Sequence, residues 1–314
     1  MRIRAAHSED FEKIFEHKEF IPFNWEYVEY SCYAVKAKNT SLFIEYEGNE
    51  YIFPLMTRKI LGFYPVSFSL LFGMYGGIIP EKEIDTKTYE YLMRGIKKYI
   101  GTDIIFQNPF QEEILSKTNF TKIKQEFTHV VQAMDQNYDK FYYAEFSKGM
   151  REGVKRGIKN DIKISVGNNI ELVEDLYKLY EVSNVRWGKK TPRYGLDFFK
   201  VFLNKEYIEI RVAYYQGQPL SSLFILKFKK YYFCWFGGMV KEFRKLRAND
   251  YLYSDVIKTA IENNYTMVNF GGSGKLAGVK SFKESFGAKE KGYHIYFIGN
   301  TIAKWALYFI IRFY

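Results

Sequence analysis

The chain has 314 residues, carries 46 Lys and Arg against 36 Asp and Glu for a net charge of +10, and is 47% hydrophobic and 19% aromatic. That apolar fraction excludes intrinsic disorder, and only two cysteines, Cys32 and Cys234, exclude a disulfide scaffold and an all-cysteine zinc site and fit a reducing compartment. Such a length gives one or two domains with ample core, and the positive excess points to RNA, phosphorylated substrates or acidic lipid head groups.

From Met1 to Trp25 the charges of Glu9, Asp10, Glu12 and Glu16 leave no apolar stretch of a secretory signal. Ser41–Met56 reads as strand, turn at Gly48 and strand. The uncharged stretch Ile60–Pro80 is long enough to span a membrane, but Gly62, Pro65, Gly73, Gly76 and Gly77 interrupt it, so buried strands with a tight turn are expected. A helical pattern covers Thr86–Ile100, and a short apolar strand covers Asp103–Gln107.

Asp135–Lys163 is polar and helical and opens a second half that repeats this plan. Ile208–Leu226 is a hairpin turning at Gly217, aromatic strands end in Gly237-Gly238, and a helix (Asn249–Asn263) leads to a strand (Thr266–Phe270). Gly48 and Gly217 stand 169 residues apart, and Gly76 and Gly237 stand 161 apart. The near-constant offset argues for a duplicated α/β domain, 1–135 and 136–314, with mixed sheets. The closing run Trp305–Ile311, between Lys304 and Arg312, is too short to span and reads as a docking helix or a membrane-surface helix.

The charge is concentrated. Lys148–Lys163 carries +4, Lys241–Asp250 +2 and Lys275–Lys291 +3, all in the second half. Lys148, Arg151, Lys155 and Lys159 share one helical face, which is either a solvated stripe or an anion-binding one. Gly149, Gly153 and Gly157 weaken that helix without adding packing, which favours binding. In Lys241–Asp250 the basic residues precede a helix whose expected N-cap is Asn249, a plausible anion site.

The four histidines, His7, His17, His129 and His294, lack paired metal-ligand spacing. Gly271-Gly-Ser-Gly-Lys275 is neither a nucleophile elbow nor a P-loop. Only 37 residues follow Ala277, too few for a dinucleotide-binding fold. It reads as a turn beside a substrate channel or as a flexible surface loop.

Larger pieces of the second half resemble the FemABX-type aminoacyl and peptidyl transferases, within the GNAT-like acyltransferase superfamily. They are Phe146–Ile158, Leu176–Tyr180, Arg186–Tyr194 with Phe198-Phe199, Val212–Ser222, Tyr232–Gly238 and Arg247–Leu252. The most distinctive is Val268-Asn-Phe-Gly271 followed by Phe282-Lys283-x-x-Phe286-Gly287. The resemblance covers about 127–297 and implies two tandem GNAT-like domains. Ordinary acetyl-CoA-binding members carry a glycine-rich loop before the helix. Arg244–Asn249 has no glycine, which disfavours acetyl-CoA and fits aminoacyl-tRNA as donor.

The resemblance implies a cytoplasmic transferase, at the inner face of the membrane, that needs no cofactor and acts as a monomer or weak dimer. It would move an aminoacyl group from aminoacyl-tRNA, or another activated acyl donor, to a phosphorylated or amine-bearing envelope precursor such as that of peptidoglycan. No Cys–His or Ser–His–Asp set is visible, so no covalent intermediate is expected. Lys283 is the candidate for stabilising the oxyanion, its alternative being an exposed surface lysine. Arg151 and Lys155, then Arg247 and Lys280, are candidates for phosphate. Trp187, Tyr194, Trp235, Phe282 and Gly271 would line the channel, with core packing the alternative for the three larger aromatics. Asp250 is a helix-start charge or a base. An N-acyltransferase using acyl-CoA or an acyl carrier on an amino sugar or amino acid, and a non-enzymatic RNA-binding module, are the competing readings.

Overall fold

A computed structural model describes residues 1–15, 24–60, 62–69, 74–80, 84–186, 188, 191–192, 194–228, 231–274 and 276–299. Trp187 and the Trp305–Ile311 run lie outside the described residues, as does part of the Ile60–Pro80 stretch. The chain divides into two compact units, Met1–Phe127 with Lys291–Tyr314, and Thr128–Glu290. The division falls a few residues before the expected junction near 135, and the last strand returns to the first unit. Among the described residues no helix is long and apolar enough to cross a membrane.

The first unit contains β1 (Arg2–Ala5), α1 (Ser8–Phe15), α2 (Trp25–Ala34), β2 (Lys38–Asn39), β3 (Leu42–Tyr46), β4 (Asn49–Phe53), β5 (Met56–Ile60), β6 (Tyr64–Ser69), β7 (Ile79–Pro80), α3 (Thr86–Ile100), β8 (Asp103–Phe106) and α4 (Glu112–Leu115). β9 (Thr121–Gln132) leads into the second unit. That unit contains α5 (Tyr138–Glu145), α6 (Lys148–Lys159), β10 (Lys163–Gly167), α7 (Ile170–Arg186), α8 (Leu196–Lys200), β11 (Ile208–Tyr215), β12 (Gln218–Phe228), β13 (Tyr231–Met239), α9 (Ala248–Glu262), β14 (Met267–Asn269) and α10 (Ala277–Glu284). β15 (Lys289–Ile298) ends the described chain.

Both units follow the plan read from the sequence. Each hairpin turns on two consecutive left-handed residues, Glu47-Gly48 (φ 51 and 76) and Gln216-Gly217 (φ 49 and 79), which suits the twist of the flanking strands. Each then places two parallel strands on either side of a helix: β6 and β8 around α3, β13 and β14 around α9. In the first unit the strand after the hairpin breaks at Pro54 into β4 and β5, whereas β12 runs unbroken for 11 residues.

The second unit orders its strands β10-β11-β12-β13-β14-β9. One face packs on α5, α6 and α9 through Val154, Leu252, Val256, Ala260 and Phe286. The other packs Phe199 and the half-buried Phe236 against Tyr180 of α7, with Phe202 against Phe224 beside them. Arg211 of β11 is buried and donates to Glu209 at 2.6 Å, to Tyr232 of β13 at 3.2 Å, and to Asp255 of α9, so a fully partnered charge ties three elements together.

Candidate active site

The site begins where two strands part. β13 pairs with β14 only from Tyr231 opposite Met267 to Phe233 opposite Asn269, although β13 continues to Met239. A bulge shifts the register at Trp235, between Cys234 opposite Ile225 and Phe236 opposite Phe224. Beyond it come Gly237 and Gly238. A Cβ on Gly238 would meet the Leu179 carbonyl of α7 at 2.4 Å, so α7 packs directly on the strand backbone.

After β13 a 3₁₀ turn (Lys241–Leu246) runs into α9. Arg247 takes a left-handed conformation (φ 62) and caps α9 without any side-chain hydrogen bond. The first intrahelical bond is Tyr251 N–H to Arg247 O, which leaves the N–H groups of Ala248, Asn249 and Asp250 without partners inside the helix. The expected N-cap, Asn249, sits two residues further in, where its side chain accepts from Ser221 at 2.7 Å. Over this helix start lies a cavity of about 600 Å³, with Arg156, Arg244, Lys245 and Arg247 among its walls and Leu220, Met239 and Phe282 as apolar lining. Four cations and three free N–H groups favour an anion there.

Asp250 also borders the cavity. It is buried, lies 3.1 Å from the Arg247 guanidinium, and its burial raises its pKa against the opposing pull of that cation. Its Oδ2 presses against Gly153 of α6, where a Cβ would come within 2.1 Å, and a Cβ on Gly157 would meet Tyr251 Cβ at 2.8 Å. Two of the three α6 glycines therefore do add packing, which corrects the expectation from sequence. Only Gly149 faces open space.

Lys283 of α10 is buried, with 4% of its surface exposed, which removes the exposed-lysine alternative. Its Nζ donates to the carbonyls of Gly271 at 3.0 Å and Gly272 at 2.7 Å, in the loop that leaves β14 at the strand splay. An ammonium has three donors, so one N–H remains. Burial lowers its pKa to about 8. The neighbours in the motif explain themselves. Phe282 lines the cavity, Phe286 packs on Phe146, Tyr253 and Phe270, and Gly287 (φ 80) lies where a Cβ would strike Glu145 at 2.6 Å.

The fold also assembles a group that sequence spacing concealed. His129 of β9 is buried, its backbone N–H donates to the same Gly271 carbonyl at 3.2 Å, and its Nδ1 lies 3.3 Å from Ser273 Oγ. Burial, then the Lys283 charge, lowers its pKa. Glu290 stops at 3.7 Å from Nε2, which makes no hydrogen bond, so the serine–histidine pair has no third group orienting it as a nucleophile needs. Cys234 is no alternative nucleophile, because burial pushes its thiol up to about 12.

The structure redistributes the other candidates. Arg151 donates to the carbonyls of Tyr143 and Phe146, closing the end of α5 rather than facing a phosphate. Lys155 is exposed on α6, while its neighbour Arg156 lines the cavity. Lys280 pairs with Glu290 at 2.8 Å. Tyr194 stacks on Phe198, and Trp235 contacts Phe198, Phe202 and Phe224, so both sit in an aromatic cluster. Arg247, Phe282 and Gly271 do sit at the cavity or the splay. Arg244 and Lys245 belonged to a basic segment already visible in sequence; Arg156 joins them only because α6 crosses α9 closely.

The strand splay and the uncapped helix after it lie within the stretch that matches a known family. Residues 144–284 match the family described as acetyltransferase (GNAT) domain. Over its whole length the chain has the fold of FemX, with a TM-score of 0.73 at 12% identity, covering 94% of this chain and 97% of that one. L-PGS from Bacillus licheniformis is similar in the same way, with a TM-score of 0.61 at 14% identity over 98% and 96%. No curated protein matches the chain in sequence. Residues 144–284 are thus of the acyltransferase (GNAT) kind, and the chain as a whole has the fold of FemX.

Proposed function

We propose that the second unit transfers an aminoacyl group from aminoacyl-tRNA to an amine of a cell-envelope precursor, in the cytoplasm and without a covalent enzyme intermediate. The observation that carries this reading is Lys283, a buried ammonium fixed by two carbonyls with one N–H to spare, behind the strand splay. The neutral amine attacks the ester carbon, a C–N bond forms, and the carbonyl electron pair moves to oxygen. The remaining Lys283 N–H stabilises that oxyanion. Collapse breaks the C–O bond to the ribose, whose oxygen takes up the proton that the amine releases. The cations over α9 hold the donor's phosphates and so orient the ester.

A second reading, acyl-CoA as donor, is favoured by the free N–H groups of α9 and by the family that residues 144–284 match. Against it, the preceding segment is a 3₁₀ turn whose last amide, Arg247 N–H, is bonded to Arg244 O, so it offers a pyrophosphate little backbone. The test incubates the purified chain with labelled aminoacyl-tRNA, or with labelled acetyl-CoA, and a panel of amine acceptors. Label moving only from the tRNA supports the first reading. Label moving only from CoA replaces it with the second.

A further inference from the structure

One edge of the first unit exposes rings and cations together. β5 and β6 form a hairpin closed by Ile60 opposite Tyr64, and its turn presents Phe63 with 72% of its surface exposed. β6 and β8 run parallel, Val66 opposite Asp103, so the end of α3 reaches the same edge with Lys98 and Tyr99, the latter 55% exposed. β2 lies antiparallel to β5, Lys38 opposite Thr57, which brings Lys36 and the 76%-exposed Tyr33 there ahead of it. β15 also ends at this edge, Ile298 opposite Ile104.

Lys36, Lys59 and Lys98 are exposed, and none makes an ion pair among the described residues. Asp103 at the same edge is buried and bound by Lys97 at 2.7 Å and by Tyr64 at 2.6 Å, so it offsets none of their outward charge.

We propose that this edge docks on an anionic lipid surface, with Phe63 entering the boundary between head groups and acyl chains and the three lysines facing acidic head groups. A phenyl ring held out at a hairpin tip gains nothing in water. Tyrosines belong at a membrane interface, where the ring is in the apolar layer and the hydroxyl is wet. A protein partner would need a carboxylate placed for each lysine. A bilayer of acidic lipids supplies negative charge at any spacing and accepts all three rings at once. The inference does not depend on the acyl-transfer reading.

The test sediments the full chain with vesicles of mixed phosphatidylglycerol and phosphatidylcholine, and with vesicles of phosphatidylcholine alone. Binding is expected to the first, weakened by salt, and to fall about tenfold or more in Phe63→Ser and in Lys59→Glu/Lys98→Glu. These positions are exposed, so thermal unfolding of the variants should match the parent. A chain lacking residues 301–314 separates the C-terminal apolar run from this edge and should retain binding that Phe63→Ser abolishes. Variants that bind like the parent, equal binding to neutral vesicles, or binding carried wholly by residues 301–314 would each overturn the proposal.

Discussion

The two units start their long helices in opposite ways. α3 begins beneath Asp85, whose carboxylate accepts from Lys87 N–H at 2.8 Å and Thr88 N–H at 3.1 Å. α9 begins beneath Arg247 with no side-chain cap, and Arg156, Arg244 and Lys245 surround the opening. The hairpin turns, the parallel strand pairs and the helix lengths agree between the units, so the frame does not make the difference. One helix carries its own anion, and the other leaves room for someone else's. A repeated fold can therefore hold a site in one copy only, by changing the residues of a single helical turn.

The largest expected effect lies on Lys283, which sharpens the comparison because it belongs to the second unit alone. Lys283→Ala should lower turnover by ~10²-fold or more, measured in single turnover, with KM little changed. The Gly272 carbonyl loses its donor while that of Gly271 keeps the His129 N–H, so a stability loss of about 1 kcal/mol accompanies it. A turnover within a few-fold of the parent would remove Lys283 from the mechanism. The parent should also show opposed pH trends. With the pKa lowered to about 8, the ammonium needed for the oxyanion disappears above that pH, so turnover falls. Between about 8 and the ordinary lysine range near 10.5 the unfolded chain binds the proton and the folded one does not, so this group makes the protein more stable as pH rises.

The next effect is structural. Gly157→Leu forces α6 from Tyr251 and the Arg247 carbonyl and should destabilise by about 2–3 kcal/mol, whereas Gly149→Ala, facing open space, should stabilise by ~0.5–1 kcal/mol. Equal effects in thermal unfolding would mean that the close approach of α6 to α9 does not set the cavity wall. This pair also marks what the sequence can tell. Local signals were legible: the Gly48 and Gly217 turns, α3 to the residue, α9 within one, and the Phe282–Gly287 motif. Contacts between distant segments were not. Ser273 and His129 are 144 residues apart, and the α6 glycines look purely weakening until α9 lies against them. Trp235 and Tyr194 read the same whether they line a channel or fill a core, and their contacts with Phe198 appear only in the fold. Arg151 reads as part of a basic stripe because its true partners are backbone carbonyls, which have no sequence signature.

Charge reversal at the open helix start comes third. If these groups hold the donor's phosphates, away from the reacting carbon, Arg244→Glu/Arg247→Glu should raise the donor KM about tenfold and leave kcat nearly intact. The loss should shrink in high salt, where the parent itself binds less well. Unchanged donor KM would mean that the cavity over α9 is not where the donor sits.

The smallest effect belongs to the other helix start. Asp85→Ala removes the acceptor for two N–H groups of α3 and should cost about 1 kcal/mol, read by denaturant or thermal unfolding. Asp85→Asn keeps an acceptor oxygen and should cost less, since it loses only the charge facing the helix dipole. Neither should alter transfer or its dependence on phosphate. Should Asp85→Ala instead lower the donor KM, uncovering the α3 amides would have made a second anion site, and the sealed start of the first unit would be a restraint on binding rather than a helix cap alone.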